Sequence, residues 1–170
     1  VRGSKESAHS TAASATTLEA PAIQDIIVGT GNAGNINQLP TNIYYNYSMT
    51  QQIYTASELG FGAGTISKIA FKTVSGGSYT RNIDVYIKNT SKSSFTDQWD
   101  MESMTSSDKV FSGNFTFNSN NEWDEIILQT NFEYTGGNIL ICVDDNTGSY
   151  PGTLYFAVNA TTNNSAVYTF

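Results

Sequence analysis

The 170-residue chain carries one histidine, His9, and one cysteine, Cys142, and their positions restrict the chemistry open to it. His9 lies in a Ser/Ala/Thr-rich stretch without apolar periodicity, so a His-dependent active site within a folded domain is essentially excluded. Cys142 sits in the apolar run Ile139-Leu-Ile-Cys-Val143. There it reads as a small buried hydrophobe rather than half of a disulfide. No zinc-ligand spacing, His-based triad or Gly-rich phosphate loop is present. Two facing carboxylates could serve a glycosidase, and Asp84, Asp97, Asp100, Glu122, Asp124, Glu125, Glu133, Asp144 and Asp145 are the candidates. Most flank turns or outward strand positions, where solvation is the ordinary role, and a sandwich of this length leaves little room for a deep cleft. The expectation is a protein that is not an enzyme.

The remaining chemistry is binding. Sugars present hydroxyls and flat faces of C–H bonds, and proteins hold them with aromatic platforms plus Asp, Asn, Gln or Arg. The chain has 10 Tyr, 9 Phe and 2 Trp. Trp99 stands in the polar stretch Ser94-Phe-Thr-Asp-Gln-Trp-Asp100, as a loop-borne stacking residue would, or as a lid over the core. Trp123 opens a strand and suits packing at the core edge. Alternation places Tyr86 and Tyr155 opposite the aliphatic residues of their strands. If those strands are neighbours, Tyr86, Tyr155, Asp84, Lys88 and Asn159 would line one shallow groove, unless a loop or the N-terminal segment covers that face. Tyr44-Tyr-Asn-Tyr-Ser-Met-Thr-Gln-Gln-Ile-Tyr54 is dense in phenols and amides and reads mainly as packing. The polar loop Asp144-Asp-Asn-Thr-Gly-Ser-Tyr150 could contact sugar hydroxyls or hold a structural calcium ion, though without EF-hand spacing. The expected carbohydrate-binding set is therefore Tyr86, Tyr155 and Trp99 for stacking, with Asp84, Asp144, Asp145, Asn146 and Tyr150 around them.

The elements that must position these residues are short. Residues 1–22 are a flexible linker or tag remnant, and 23–170 form a single β-sandwich module. Strands are expected at 23–28, 42–47, 51–55, 65–73, 81–88, 109–117, 123–130, 138–143, 153–159 and 166–170, because β-branched and aromatic runs are cut by Gly and Asn at regular intervals. In Arg81-Asn-Ile-Asp-Val-Tyr-Ile-Lys88, Ile83, Val85 and Ile87 share one face while Asp84, Tyr86 and Lys88 share the other. Leu154 and Phe156 alternate in the same way with Tyr155 and Ala157. Gly76-Gly77, Gly136-Gly137 and Asn118–Asn121 supply hairpin turns. One helical turn fits Ser57-Glu-Leu-Gly60, with Ser57 as its cap and Gly60 as its stop. The fold class is all-β, an antiparallel sandwich of jelly-roll type.

With 8 basic against 15 acidic side chains the net charge is −7, which disfavours nucleic acid. No apolar run is long enough for a membrane span. Charged residues make up only 14%, well under the roughly 25% of an average domain. The 17 Asn, 19 Ser and 21 Thr keep the surface wet instead. That neutral polar surface points to a secreted or cell-surface location.

The series Tyr44-Tyr-Asn-Tyr-Ser, Gln51-Gln-Ile-Tyr-Thr-Ala-Ser-Glu-Leu-Gly60, Ile66-Ser-Lys-Ile-Ala-Phe71, Asn82-Ile-Asp-Val-Tyr-Ile87, Val110-Phe-Ser-Gly113 and Val143-Asp-Asp-Asn-Thr-Gly-Ser-Tyr150 resembles a module of large secreted and cell-surface proteins of Bacteroidetes, over roughly residues 26–158. Such modules resemble jelly-roll carbohydrate-binding modules attached to glycoside hydrolases, and also occur in adhesin-like proteins. The resemblance implies a monomeric module, covalently linked to catalytic or surface domains of a larger parent. Two functions follow as expectations: a non-catalytic module for a neutral plant polysaccharide of β-glucan, xylan or mannan type, or a structural and adhesive domain without a small ligand.

Overall fold

Alternating residues become nine strands and one helical turn in the computed structural model, which describes residues 23–30 and 35–170. The expected linker 1–22, with His9, lies outside the described residues. In chain order the elements are β1 (Asn35–Ile36), β2 (Ser48–Tyr54), α1 (Ala56–Leu59), β3 (Gly64–Gly76), β4 (Tyr79–Thr90), β5 (Lys109–Phe117), β6 (Trp123–Tyr134), β7 (Asn138–Asp145), β8 (Leu154–Ala157) and β9 (Ala166–Thr169). They form a four-stranded sheet, β1-β8-β3-β6, and a five-stranded sheet, β5-β4-β7-β2-β9. Every pairing is antiparallel and the pairs are nested: β1 with β8, β2 with β7, β3 with β6, β4 with β5. β9 adds to the free edge of β2.

The sandwich closes because each sheet has one apolar face. Ile83, Val85, Ile87, Ile139, Ile141 and Val143 from the five-stranded sheet meet Phe71, Ile126, Leu128, Leu154 and Phe156 from the other, all buried. Phe117 and Phe156 meet edge to face at 5.3 Å across the layers. The helical turn is as short as its sequence suggests, but its cap is Thr55 rather than Ser57. Glu58 N donates to the Thr55 hydroxyl and Thr55 N donates to the Glu58 carboxylate at 2.8 Å, and the reciprocal pair satisfies two amides that one side chain could not. Gly60 stops the turn at φ +68°.

The outer face of the five-stranded sheet is covered over part of its area. Ile53, Leu140, Cys142 and Val167 lie under residues 91–108, from which Phe95, Met101 and Met104 descend to form a second core. Gln51 fastens this cover: its amide donates to Glu102 O at 2.6 Å and accepts from Glu102 N at 2.8 Å, the two-way exchange of a strand pair made by a side chain. Lys88 adds an ion pair to Glu102 at 2.9 Å. Burial here pushes the Cys142 thiol up to about 12, so it stays protonated and unreactive.

Two expected strands are not strands. Residues 23–28 carry the right side chains but have no ladder partner among the described residues; Asp25 reaches Lys68 at 3.1 Å and Val28 leans on the core. Residues 42–47 are a turn. No described helix is long and apolar enough to cross a membrane.

Candidate functional site

The 42–47 turn and the loop after β7 are built against one another. Asn42 starts the turn: its side-chain oxygen accepts from Tyr44 N and its carbonyl from Tyr45 N, both at 3.1 Å. Asn42 N in turn donates to Ser48 Oγ at 3.1 Å. Local side-chain bonds of this kind compete with a strand ladder, which is why a tyrosine-rich segment of high β propensity turns here. The partner loop is shaped by Asp145, whose Oδ1 accepts from Thr147 N at 3.0 Å and from Thr147 Oγ1 at 2.6 Å. Gly148 N then donates to Asn46 O at 2.8 Å, joining the two loops. Gly148 has φ +75°, and a Cβ there would stand 3.2 Å from the Tyr47 hydroxyl, so the position favours glycine on both counts.

Arg81 lies behind both loops, fully buried. Its Nε donates to Asp145 Oδ2 at 2.6 Å, one terminal nitrogen donates to Ser149 O at 2.7 Å, and the other to Tyr45 O at 3.0 Å. Thr41 Oγ1 also donates to Asp145 Oδ2, at 2.8 Å. One guanidinium thus reads the sheet, the turn and the loop at once. A buried charge pair is affordable only when its remaining donors and acceptors are met in this way.

What the two loops carry is a set of exposed rings. Tyr44, Tyr45, Asn46, Tyr47, Tyr150 and Phe170 line an open depression of about 400 Å³ at one end of the sandwich. Tyr45 stacks on Phe170 at 4.5 Å and 6°, and Phe170 on Tyr168 at 5.1 Å and 22°. Tyr44 meets Tyr45 edge-on at 5.6 Å. Those contacts fix a ring floor. Tyr47 and Tyr150, 59% and 68% exposed, present the most open phenols beside it. Among the described residues the lining holds no lysine or arginine, and the charge of Arg81 behind it is balanced by Asp145.

The residues expected from sequence separate. Tyr86 and Tyr155 do not share a groove, because β4 and β8 belong to different sheets and their outer faces point to opposite sides of the molecule. Tyr155 is exposed on β8. Tyr86 is half-buried beside the second core, with Lys109 Nζ 5.3 Å above its ring and its hydroxyl donating to Asp84 at 3.4 Å. Lys109 Nζ reaches Asp84 Oδ2 at 2.6 Å. Burial works against the Asp84 charge, but hydrogen bonds from Lys109 and Ser112, with the lysine's charge, outweigh it and hold the carboxyl below its ordinary value. Asp144 stands directly across the ladder from Asp84, and burial, then the charges of Asp84 and Asp145, push its carboxyl up. Lys88 is paired with Glu102, and Asn159 accepts from Thr30 N.

Asp145 is the clearest correction. Expected to meet a ligand, its carboxylate is fully buried and filled by Arg81, Thr41 and Thr147. The calcium expectation meets the same fact: alternation sends Asp144 and Asp145 to opposite faces of β7, and a guanidinium stands where a cation would. Among the described residues no group of three or more His, Cys, Asp or Glu is arranged to hold a metal ion. Asn146 is exposed at the loop's start, and its side chain donates to Asp144 O at 3.3 Å. Trp99, 80% exposed, is on the covering segment rather than in the ring cluster, its amide bonded to Asp97 at 2.7 Å. Trp123 is 43% exposed at the start of β6, opposite Lys72. Of the expected set only Tyr150 lines the depression. Tyr44, Tyr45 and Tyr47, read from sequence mainly as packing, line it as well, together with Phe170. No family model, curated protein or solved structure matches the chain.

Proposed function

We propose that the chain is a non-catalytic carbohydrate-binding module of a secreted or cell-surface parent protein, holding a neutral plant polysaccharide of β-glucan, xylan or mannan type. The observation that carries this reading is the ring cluster itself. Tyr44, Tyr47 and Tyr150 are exposed at one end of the sandwich, on loops clamped by the buried Arg81–Asp145 pair. Exposed aromatics on loops held this firmly favour recognition, because little ordering is left to be done on binding. Rings supply the flat apolar faces that pyranoses stack on, and phenol hydroxyls with Asn46 supply hydrogen bonds. A jelly-roll assignment is supported by the nested pairing of β1 to β8 across two sheets, with β9 as an addition at one edge. Such a module acts by tethering, raising the effective concentration of a linked domain at its polymer rather than by tight single-site affinity.

A second reading, a structural or adhesive surface domain without a glycan ligand, draws on the mutual stacking of Tyr45, Phe170 and Tyr168, a floor that a protein partner could also cover. Affinity electrophoresis in native gels cast with xyloglucan, mixed-linkage glucan, xylan, glucomannan or pectin separates the two. Retardation by a neutral polymer and not by pectin is the expected result. Free migration in every gel would move the assignment to the second reading.

A further inference from the structure

The ring cluster does not end at Phe170. Its stacked neighbour Tyr168, on the same face of the edge strand β9, borders a second depression of about 270 Å³ lined by Asp97, Gln98, Asn164, Ala166, Val167 and Tyr168. The two hollows meet at the stacked Phe170–Tyr168 pair and differ in chemistry: rings dominate the first, while an acid and two amides border the second. Gln98 and Asn164 are both exposed, and among the described residues neither hollow is lined by a lysine or arginine. Asp97 uses one carboxylate oxygen on Trp99 N, which fixes the loop that brings Gln98 to β9.

Resting on the carbohydrate-binding reading, we infer that the site is a track along β9 for several consecutive sugars of an uncharged β-linked glycan, with the rings holding one part of the chain and Asp97, Gln98 and Asn164 the next. A single-sugar site would end at one hollow; here Tyr168 of the second hollow stacks on Phe170 of the first, so a chain lying in one can continue into the other. The charge pattern selects the occupant. With Asp97 at one end and no cation among the described lining residues to match a uronate, acidic glycans are repelled and neutral hydroxyl-rich chains are favoured.

Chain length is the discriminating variable. The probes are a disaccharide and a hexasaccharide of mixed-linkage β-glucan, titrated calorimetrically into the wild-type protein and into a Gln98→Ala/Asn164→Ala double variant. Both positions are exposed, so the variant is expected to fold, and its melting temperature checks this. The hexasaccharide binds the wild type at least about tenfold more tightly than the disaccharide, and the double variant removes most of that advantage while leaving disaccharide binding intact, as for loss of one contact group among several. Equal affinity for the two lengths, or a hexasaccharide advantage untouched by the double variant, overturns the track and leaves a single ring site. If the wild type binds neither oligosaccharide nor any neutral polymer, the carbohydrate reading itself falls.

Discussion

Two tyrosine-bearing regions of this molecule meet opposite fates. Tyr86 points out from the middle of a sheet, yet a loop covers its neighbours, a lysine sits on its ring and an aspartate takes its hydroxyl. Tyr44, Tyr47 and Tyr150 belong to segments that read as packing or plain turn, yet their rings stand in the open. The difference is that a sheet face is a broad surface that a long connection can cross, whereas the end of a sandwich is reached only by the turns themselves. Exposure is decided by what lies above a residue, and alternation along a strand carries no information about that.

The comparison can be broken most forcefully at its root. Arg81→Met leaves Asp145 buried without its partner and releases both ring-bearing loops; a loss of about 3–5 kcal/mol in urea unfolding is expected, since removing one member of a buried pair strands the other. A loss under about 1 kcal/mol would mean the loops hold themselves. Next, Tyr86→Ala should lower stability by about 2 kcal/mol while leaving gel retardation by glycan unchanged, because that ring belongs to the second core. Retardation lost with the melting temperature preserved would return Tyr86 to the binding surface. The reciprocal pattern is expected at the other region: Tyr47→Ala with Tyr150→Ala weakens glycan binding at least about tenfold and shifts stability by no more than about 0.5 kcal/mol.

The smallest effect lies on the covered face. Asp84 and Asp144 are like charges directly opposite one another, so Asp144→Asn should stabilise the protein at pH 7 by about 0.2–1 kcal/mol. Their titrations have opposite signs. Asp84, lowered, contributes stability that is present above its unfolded value and lost as pH falls through its folded one. Asp144, raised, favours the fold when protonated, and that contribution is lost as pH rises through its folded value. Thermal melts from pH 7 downward should therefore show the Asp144→Asn advantage shrinking as Asp144 in the wild type takes up its proton. An advantage constant across that range would remove Asp144 from the account.

Much of the fold was legible because it follows from a period of two. The strand at 109–117 was read to its ends, and those beginning at 123 and 138 to their first residues, since Phe and β-branched residues alternate there between Asn and Gly breaks. Segments 23–28 and 42–47 defeated the same reading for different reasons. The first has strand side chains but no ladder neighbour among the described residues, and a strand exists only in a ladder. The second was diverted by Asn42 and by a guanidinium from residue 81, a contact that no local pattern encodes. β1 went unseen because two residues have no period. The candidate site was the least legible part, since it depends on which turns meet at one end, and the guanidinium that occupies Asp145 comes from β4, distant in sequence.

The nested pairing has a consequence in time. Asn35 pairs with Ala157, and Ser48 with Asp145, so neither sheet can close until most of the chain is available. Among the described strands only β4 and β5 are consecutive in sequence and paired with each other. A topology dominated by such distant pairings folds slowly, on the scale of milliseconds to seconds. During synthesis the first half of the chain emerges with its apolar strand faces unpartnered, and must wait for β7 and β8 before it has a fold to join.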